Sequence, residues 1–291
     1  LSAMEQKSGS TISEVGEIYM SEVNHQLQQK FTAVADLRIA QVQGIVERTS
    51  PETEYNQEFL DEMSLNARVR GFTYLGLFTP DGAEEVLYGR SIQIEDSQGF
   101  LDALAGSDSK ITKGVDADGV DCLVIGIHAN YHMEGGRTSM AMVASLPMET
   151  MEEALALQYT EDTSMSYSYV IDAEGRFVIR NKGIYKENFY ERIMNTYTEY
   201  EGKKPEDYIK GIEEAVVNHE NYSALAMSNG EHRHIYCSPI PGSDWYLVTV
   251  MPYGQLNEAI DNLENQRIFI YVVAGGLILL AIIIIFVLYY L

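Results

Sequence analysis

Four of the six histidines come in two close pairs, and paired histidines are the first residues to consider as metal ligands. His232 and His234 lie on one face of a predicted strand, whereas His128 and His132 flank the end of another. A zinc site needs further Cys, His, Asp or Glu ligands at regular spacing. No Cys, Asp or Glu stands at regular ligand spacing beside either pair, so we interpret these histidines as residues of the surface or of a pocket edge and predict no bound metal.

Two Asp-Gly pairs are candidates for calcium-binding loops. Asp81-Gly82 and Asp118-Gly119 lack the remaining ligand positions of a calcium-binding loop, so both predict hairpin turns. The chain contains no Gly-x-Ser-x-Gly element, no glycine-rich phosphate loop and no zinc-hydrolase motif. We therefore expect neither catalysis nor a cofactor within this segment.

The charge balance excludes one class of partner. Asp and Glu number 43 against 20 Lys and Arg, which gives a formal net charge of −23 over 291 residues. A chain this acidic has no basic face for a phosphate backbone, so nucleic acid is excluded as a partner. Cys122 and Cys237 each lie within an apolar run, which predicts two separate buried thiols rather than a disulfide.

Two internal echoes indicate that one unit occurs twice. The stretch "PMETMEEAL" at 147–155 returns as "PYGQLNEAI" at 252–260, and "YLGLFTPDGAEEVLY" at 74–88 aligns with "YSYVIDAEGRFVIRN" at 167–181. The offsets are 105 and 93 residues, and similar offsets between separate echoes are the signature of a duplication. Each copy is long enough to form its own core.

The pattern of apolar residues predicts the elements that position any site. Spacings of three and four between Thr11 and Arg48 predict one long amphipathic helix, and a second, short helix is predicted from Asn56 to Arg68. Alternating runs separated by Gly-containing turns then predict an antiparallel sheet of about five strands, with helices inserted after the second strand. The same order recurs in the second unit, where a helical, Tyr-rich insertion is predicted from Ile184 to about Asn218.

The last 24 residues, Ile268 to Leu291, contain no charged side chain. As a helix they would extend roughly 36 Å, against about 30 Å of membrane hydrocarbon. A buried core helix is the alternative, but a run this long and apolar on every face is rare in soluble domains. The sequence therefore predicts a transmembrane helix, preceded directly by a helix without a flexible linker.

This arrangement resembles the double Cache sensor domains of bacterial transmembrane receptors, in which a long helix precedes two PAS-like units. The likeness covers about Ser10 to Leu291 and rests on the paired hairpins "TPDG" and "DAEG", the last strand "GSDWYLVTVMP" and the span beginning "IFIYVV". It implies an α+β fold with a long N-terminal helix, two PAS-like antiparallel-sheet units and a C-terminal transmembrane helix. The predicted boundaries are 1–64 for the stalk, 65–155 for the membrane-distal unit, 156–255 for the membrane-proximal unit, 256–267 for the exit helix and 268–291 for the span.

The resemblance also implies a ligand pocket in the distal unit. Five residues fall at or beside the strands and loops that surround the pocket in the family: Tyr74, Tyr88, Arg90, Lys113 and His128. An Arg and a Lys converging in an acidic domain would suit a carboxylate. The alternative interpretation is that Arg90 and Lys113 are solvated loop residues and that Tyr74 is a core residue. Members that bind amino acids carry an Arg shortly before a Trp-Tyr pair, and this chain departs from that pattern because its single tryptophan is Trp245.

We therefore expect an extracytoplasmic small-molecule sensor, homodimeric, with residues 1–267 outside the cytoplasm of a bacterial cell. A further membrane helix is expected before Leu1, and a histidine kinase or diguanylate cyclase output domain beyond Leu291. The alternative is a membrane-tethered surface enzyme or adhesin that uses the span only as an anchor. The predicted unbroken helical pattern into Ile268 favours the sensor, because a tether tolerates a flexible linker.

Overall fold

The structure is a computed structural model that describes residues 2–155, 167–179, 188–252, 254 and 268–278. Its longest element is helix α1 (Ser2–Arg48), which ends where the sequence predicted and is followed by α2 (Gln57–Val69). The Asn56 side chain caps α2 by accepting a hydrogen bond from the Phe59 amide at 3.0 Å. From Met20 onward, one face of α1 is buried, through Met20, Asn24, Phe31, Ala35, Val42 and Ile45.

The distal unit is a fully antiparallel six-stranded sheet with the order β2-β1-β6-β5-β4-β3. Its strands are β1 (Tyr74–Phe78), β2 (Glu84–Tyr88), β3 (Gln93–Ile94), β4 (Ser109–Val115), β5 (Asp121–His128) and β6 (Ala141–Pro147). The predicted helix after the second strand is α3 (Ser97–Ala105), and the repeated stretch at 147–155 contains α4 (Met148–Leu155). The two-residue strand β3 was not predicted, because so short an edge strand carries no alternation.

The proximal unit repeats this plan with the order β8-β7-β12-β11-β10-β9. Its strands are β7 (Tyr167–Ile171), β8 (Phe177–Ile179), β9 (Tyr197–Thr198), β10 (Tyr222–Ser228), β11 (Glu231–Pro239) and β12 (Tyr246–Pro252). The described part of the predicted insertion contains α5 (Phe189–Thr196) and α6 (Pro205–Asn218), separated by β9. The identical strand order agrees with the duplication inferred from the sequence echoes.

Each sheet is covered on both faces. The face toward α1, called here the spine face, belongs to one continuous core that includes Phe31 of α1, Ile125 of the distal sheet and Leu247 of the proximal sheet. Phe31 meets Trp245 nearly perpendicularly, with ring centroids 6.0 Å apart. The opposite face, the inner face, is covered by α3 in the distal unit and by α5 and α6 in the proximal unit. The two units and the long helix therefore share one core.

Among the described residues, no helix is both long enough and apolar enough to cross a membrane. The predicted span is described only over residues 268–278, which are helical and exposed. Residues 279–291 and the predicted exit helix at 256–267 lie outside the described residues. Cys122 and Cys237 are both buried free thiols, as predicted.

Candidate functional site

Three of the five residues predicted to line a distal pocket lie in different surroundings. Tyr74 is buried on the inner face, and its hydroxyl donates a hydrogen bond to Glu84 Oε1 at 2.7 Å. Tyr88 is half-buried and packs against the core on the spine side. Arg90 is exposed and forms an ion pair with Asp118.

The other two predicted residues line two separate clefts. Lys113 pairs with Asp121 at 3.1 Å and borders a cleft of about 340 Å³ between the two units. His128 is exposed at the end of β5 and borders a different cleft, of about 650 Å³, beside α1. The structure therefore does not bring the five residues together, and their role in ligand binding stays a prediction.

The distal inner face is filled by the chain's own side chains. A Cβ atom at Gly76 would lie 2.0 Å from the Tyr74 hydroxyl oxygen, and one at Gly126 would lie 2.5 Å from the Phe100 ring. Both rings thus occupy space that the glycines leave open above the sheet. Burial raises the pKa of Tyr74, and the hydrogen bond to Glu84 raises it further, so the phenol stays neutral and donates. We interpret Tyr74 as a core residue, in line with the alternative interpretation made from the sequence.

The proximal inner face carries a dense group of aromatic rings. Tyr169 lies at its centre, with ring centroids 5.1 Å from Tyr167, 5.0 Å from Phe177 and 6.1 Å from Phe189. Tyr169 is 1% exposed. Such tilted arrangements of aromatic pairs are favourable and produce a stiff surface.

Two arginines converge on these rings from different elements. The Arg192 guanidinium carbon, from α5, lies 5.6 Å from the Tyr167 ring centroid and 6.0 Å from that of Tyr169. The corresponding atom of Arg233, from β11, lies 5.8 Å from the Tyr167 ring, and its Nη1 donates to the Tyr167 hydroxyl at 3.3 Å. We refer to Tyr167, Tyr169, Arg192 and Arg233 as the arginine–tyrosine cluster. Cation–π attraction between the guanidinium groups and the tyrosine rings stabilises the positive charges beside these aromatic side chains.

Local structure fixes both arginines in place. At the start of α5, the Asn188 side chain accepts from the Glu191 amide at 2.7 Å while Glu191 accepts from the Asn188 amide at 3.3 Å, a reciprocal capping box. The Phe189 amide also donates to the Gly175 carbonyl at 2.7 Å, which docks α5 on the β7–β8 turn. Arg233 lies opposite Ala226 in the neighbouring strand, and this small residue leaves room for a long side chain.

The electrostatics of the cluster are unusual for so acidic a chain. Arg233 is 3% exposed and its Nη2 lies 3.1 Å from Glu231. Arg192 is half-buried, and among the described residues no carboxylate lies within 4 Å of it. The buried Tyr169 hydroxyl also has no hydrogen-bond partner in the described part of the chain. Burial raises the pKa of Tyr169, as does the neighbouring Tyr167, while Arg192 and Arg233 act in the opposite direction.

This arrangement can bind an anion. Guanidinium groups donate to carboxylates and phosphates in a fixed fork, and a buried hydroxyl without a partner gains from any acceptor or donor that reaches it. Neither arginine was predicted from the sequence as a site residue, although the Tyr-rich insertion was predicted. One signal was available, because Arg233 occupies the same strand face as the buried Ile235 and Cys237, where an apolar residue is expected.

The two histidines of β11 contact different residues. His232 packs edge-on against the Tyr200 ring with centroids 4.8 Å apart, whereas the buried His234 hydrogen-bonds Ser223 at 2.8 Å. Burial lowers the pKa of His234. Across the described ranges, no three His, Cys, Asp or Glu side chains are grouped so that they could hold a metal ion.

Comparison with solved structures places this architecture in a known class. The ligand-binding domain of the amino acid chemoreceptor PctB of Pseudomonas aeruginosa, solved with L-arginine, is 14% identical with a TM-score of 0.55, and the match covers 86% of this chain and 93% of that one. The ligand-binding domain of the chemoreceptor CtaA of Pseudomonas fluorescens, solved with L-serine, is 14% identical with a TM-score of 0.51, covering 80% and 96% of the two chains. An extracellular domain described as that of a histidine kinase is 12% identical with a TM-score of 0.52, covering 87% and 96%.

The chain therefore shares the fold of these ligand-binding and extracellular receptor domains. The fold of this chain is the double Cache fold, so the predicted resemblance is confirmed at the level of the fold. At identities this low the likeness concerns the fold alone. No protein-family model and no curated protein sequence matches the chain.

Proposed function

We propose that this chain is the extracytoplasmic sensing segment of a bacterial membrane receptor and that its ligand binds at the arginine–tyrosine cluster of the proximal unit. The observation that carries the proposal is the convergence of Arg192 and Arg233 on Tyr167, beside a buried Tyr169 hydroxyl with no described partner. Perturbed, charged and aromatic groups gathered on one covered face are typical of a binding site. The fold supports the sensing role, because domains of the same fold in PctB and CtaA are solved with small molecules bound.

The proposal differs from the distal pocket that the resemblance implied. In the distal unit, Tyr74 and Phe100 fill the inner face, and Arg90 points to solvent with its charge paired to Asp118. In the proximal unit, a charged and polar group remains beneath the covering helices. Charge-assisted contacts are stronger where water is excluded, so the buried cluster offers more binding energy than an exposed loop arginine.

Loss of one cluster arginine should abolish ligand-dependent stabilisation. A ligand at about 100 times its dissociation constant should stabilise the full chain in detergent micelles by roughly 2.7 kcal/mol, measured as a rise in Tm. We expect Arg192→Gln to remove most of this gain, because the half-buried guanidinium contacts the ligand directly. Arg90→Ala should leave it intact. The opposite pattern would assign binding to the predicted distal residues.

The remaining parts of the proposal concern the membrane. We propose that Ile268 to Leu291 span the membrane, that residues 1–267 lie outside the cytoplasm, and that a histidine kinase or diguanylate cyclase follows in the full receptor. The support is the uncharged composition of the 24 residues. A homodimer is also proposed, with the long helix α1 available for contact.

A topology reporter can test the proposed orientation. Gly135 and Gly136 form an exposed turn in which an added Cβ would meet nothing within 4 Å, so an insertion there should leave the sheet intact. Alkaline phosphatase inserted between them should be active, since it folds only outside the cytoplasm. A green fluorescent protein at the same point should be dark. Fluorescence together with inactive phosphatase would contradict the orientation.

A further inference from the structure

We infer that the arginine–tyrosine cluster selects a small organic carboxylate that carries no ammonium group. The inference rests on the proposed binding function and names its ligand class. It also separates this chain from PctB and CtaA, which are solved with L-arginine and L-serine.

The charge of the cluster favours an anion. Both guanidinium carbons lie within 6.0 Å of the Tyr167 ring centroid, and that of Arg192 lies 6.0 Å from the Tyr169 ring centroid. Arg233 is paired with Glu231, whereas no described carboxylate lies within 4 Å of Arg192. Among the described residues, the Arg192 guanidinium therefore has no counter-charge. Removing cations from water without a counter-charge is costly, and a bound carboxylate offsets that cost at Arg192.

The polar groups also fit a carboxylate. The planar fork of an arginine matches two carboxylate oxygens, and Arg192 is not committed to any described carboxylate. The Tyr169 hydroxyl is buried without a described partner, and its raised pKa keeps its proton available for donation. One carboxylate can therefore pair with a guanidinium and a phenol for which the described residues provide no partner.

The four described residues of the cluster include no carboxylate that could pair with an ammonium group. An α-amino acid needs a carboxylate or several carbonyl acceptors around its nitrogen, and Glu231 already accepts from Arg233 at 3.1 Å. An ammonium beside two guanidinium groups would be repelled and stripped of water. Two described aromatic rings next to Tyr169, those of Phe177 and Phe189, favour an uncharged, apolar ligand body.

Matched pairs of probes test this selectivity by calorimetry on the full chain in detergent. The probes are propanoate against L-alanine and 3-phenylpropanoate against L-phenylalanine, with propanamide and 3-phenylpropanamide as neutral controls. We expect at least one carboxylate to bind, its amino acid to bind at least about tenfold more weakly, and its amide to show no binding. Arg192→Gln should abolish the binding, and Arg192→Lys should restore it in part.

Lys210→Gln provides the matched control, because it removes one positive charge from an exposed position of α6 whose nearest carboxylate is Glu214 at 3.9 Å. It should bind the carboxylate like the unchanged chain. The inference is overturned if neither carboxylate binds, if an amide binds as tightly, or if an amino acid binds as tightly as its carboxylate. Amino-acid binding that depends on Arg192 would overturn only the ligand class, whereas binding that survives Arg192→Gln would overturn the proposed site as well.

Discussion

Asn24→Ala should lower the stability of the chain by about 3 kcal/mol, because it leaves several buried polar groups without partners. Asn24 belongs to α1, is 1% exposed and packs against the spine face of the proximal sheet. Its side-chain amide donates to the Leu247 carbonyl at 3.3 Å and to Thr249 Oγ1 at 3.1 Å, and its oxygen accepts from the Ser238 hydroxyl. Alanine can replace none of these bonds.

The measurement is the Tm of the full chain in detergent, followed by circular dichroism. For a chain of 291 residues, 3 kcal/mol corresponds to a fall of about 5 °C. Gln26→Ala is the matched control, since Gln26 is exposed on the same helix and bonds only Glu22 there. It should change the stability by less than about 0.5 kcal/mol. Equal Tm values for the two variants would show that the Asn24 bonds contribute nothing net.

Gly89→Ala should be at least as damaging, for a reason of backbone geometry. Gly89 follows β2 with φ of +80°, and a Cβ atom there would lie 2.2 Å from the Thr73 carbonyl oxygen. That oxygen is held in place, because the Thr73 amide donates to the Ser145 carbonyl at 2.9 Å. The left-handed backbone costs an alanine about 1–2 kcal/mol, and the collision adds to this, so we expect a loss of about 3 kcal/mol or more.

Gly119→Ala separates the two contributions. Gly119 has the same φ of +80° in the β4–β5 turn, and a Cβ there would meet nothing within 4 Å. Its replacement should cost only about 1–2 kcal/mol. Urea unfolding of both variants in detergent gives the difference directly. If the two alanine variants are equally stable, the backbone at Thr73 yields easily and the collision is irrelevant.

The architecture could be predicted from the sequence because its signals are local. Spacings of three and four fixed α1, and the Gly-containing turns fixed most strands, whereas β3 and β9 have only two residues each and no pattern to detect. The duplication could be detected because the repeated stretches preserve the turns as well as the apolar positions.

The candidate site was not predictable in the same way. Arg192 and Arg233 are 41 positions apart, and they converge only because α5 docks on the β7–β8 turn through the Phe189–Gly175 hydrogen bond. Nothing in the local sequence specifies that docking. For Tyr74, in contrast, the family resemblance predicted a pocket residue, but its ring fills the space above Gly76. The local sequence determines the position of a residue within a strand. Whether a cavity lies next to its side chain depends on the packing of residues that are distant in sequence.

The attachment of α1 to β12 has a consequence for how the chain is made. Asn24 bonds Leu247 and Thr249 across 223 and 225 positions of sequence, so the packing of α1 is completed only by the last strand of the proximal unit. Until β12 emerges, the buried face of α1 near Met20 and Asn24 stays exposed to solvent. Contacts this distant in sequence slow folding and prolong the lifetime of exposed apolar surface. Folding of this domain can therefore be completed only after β12 has been synthesised. A nascent chain stalled before β12 would leave the apolar face of α1 accessible to chaperones and proteases.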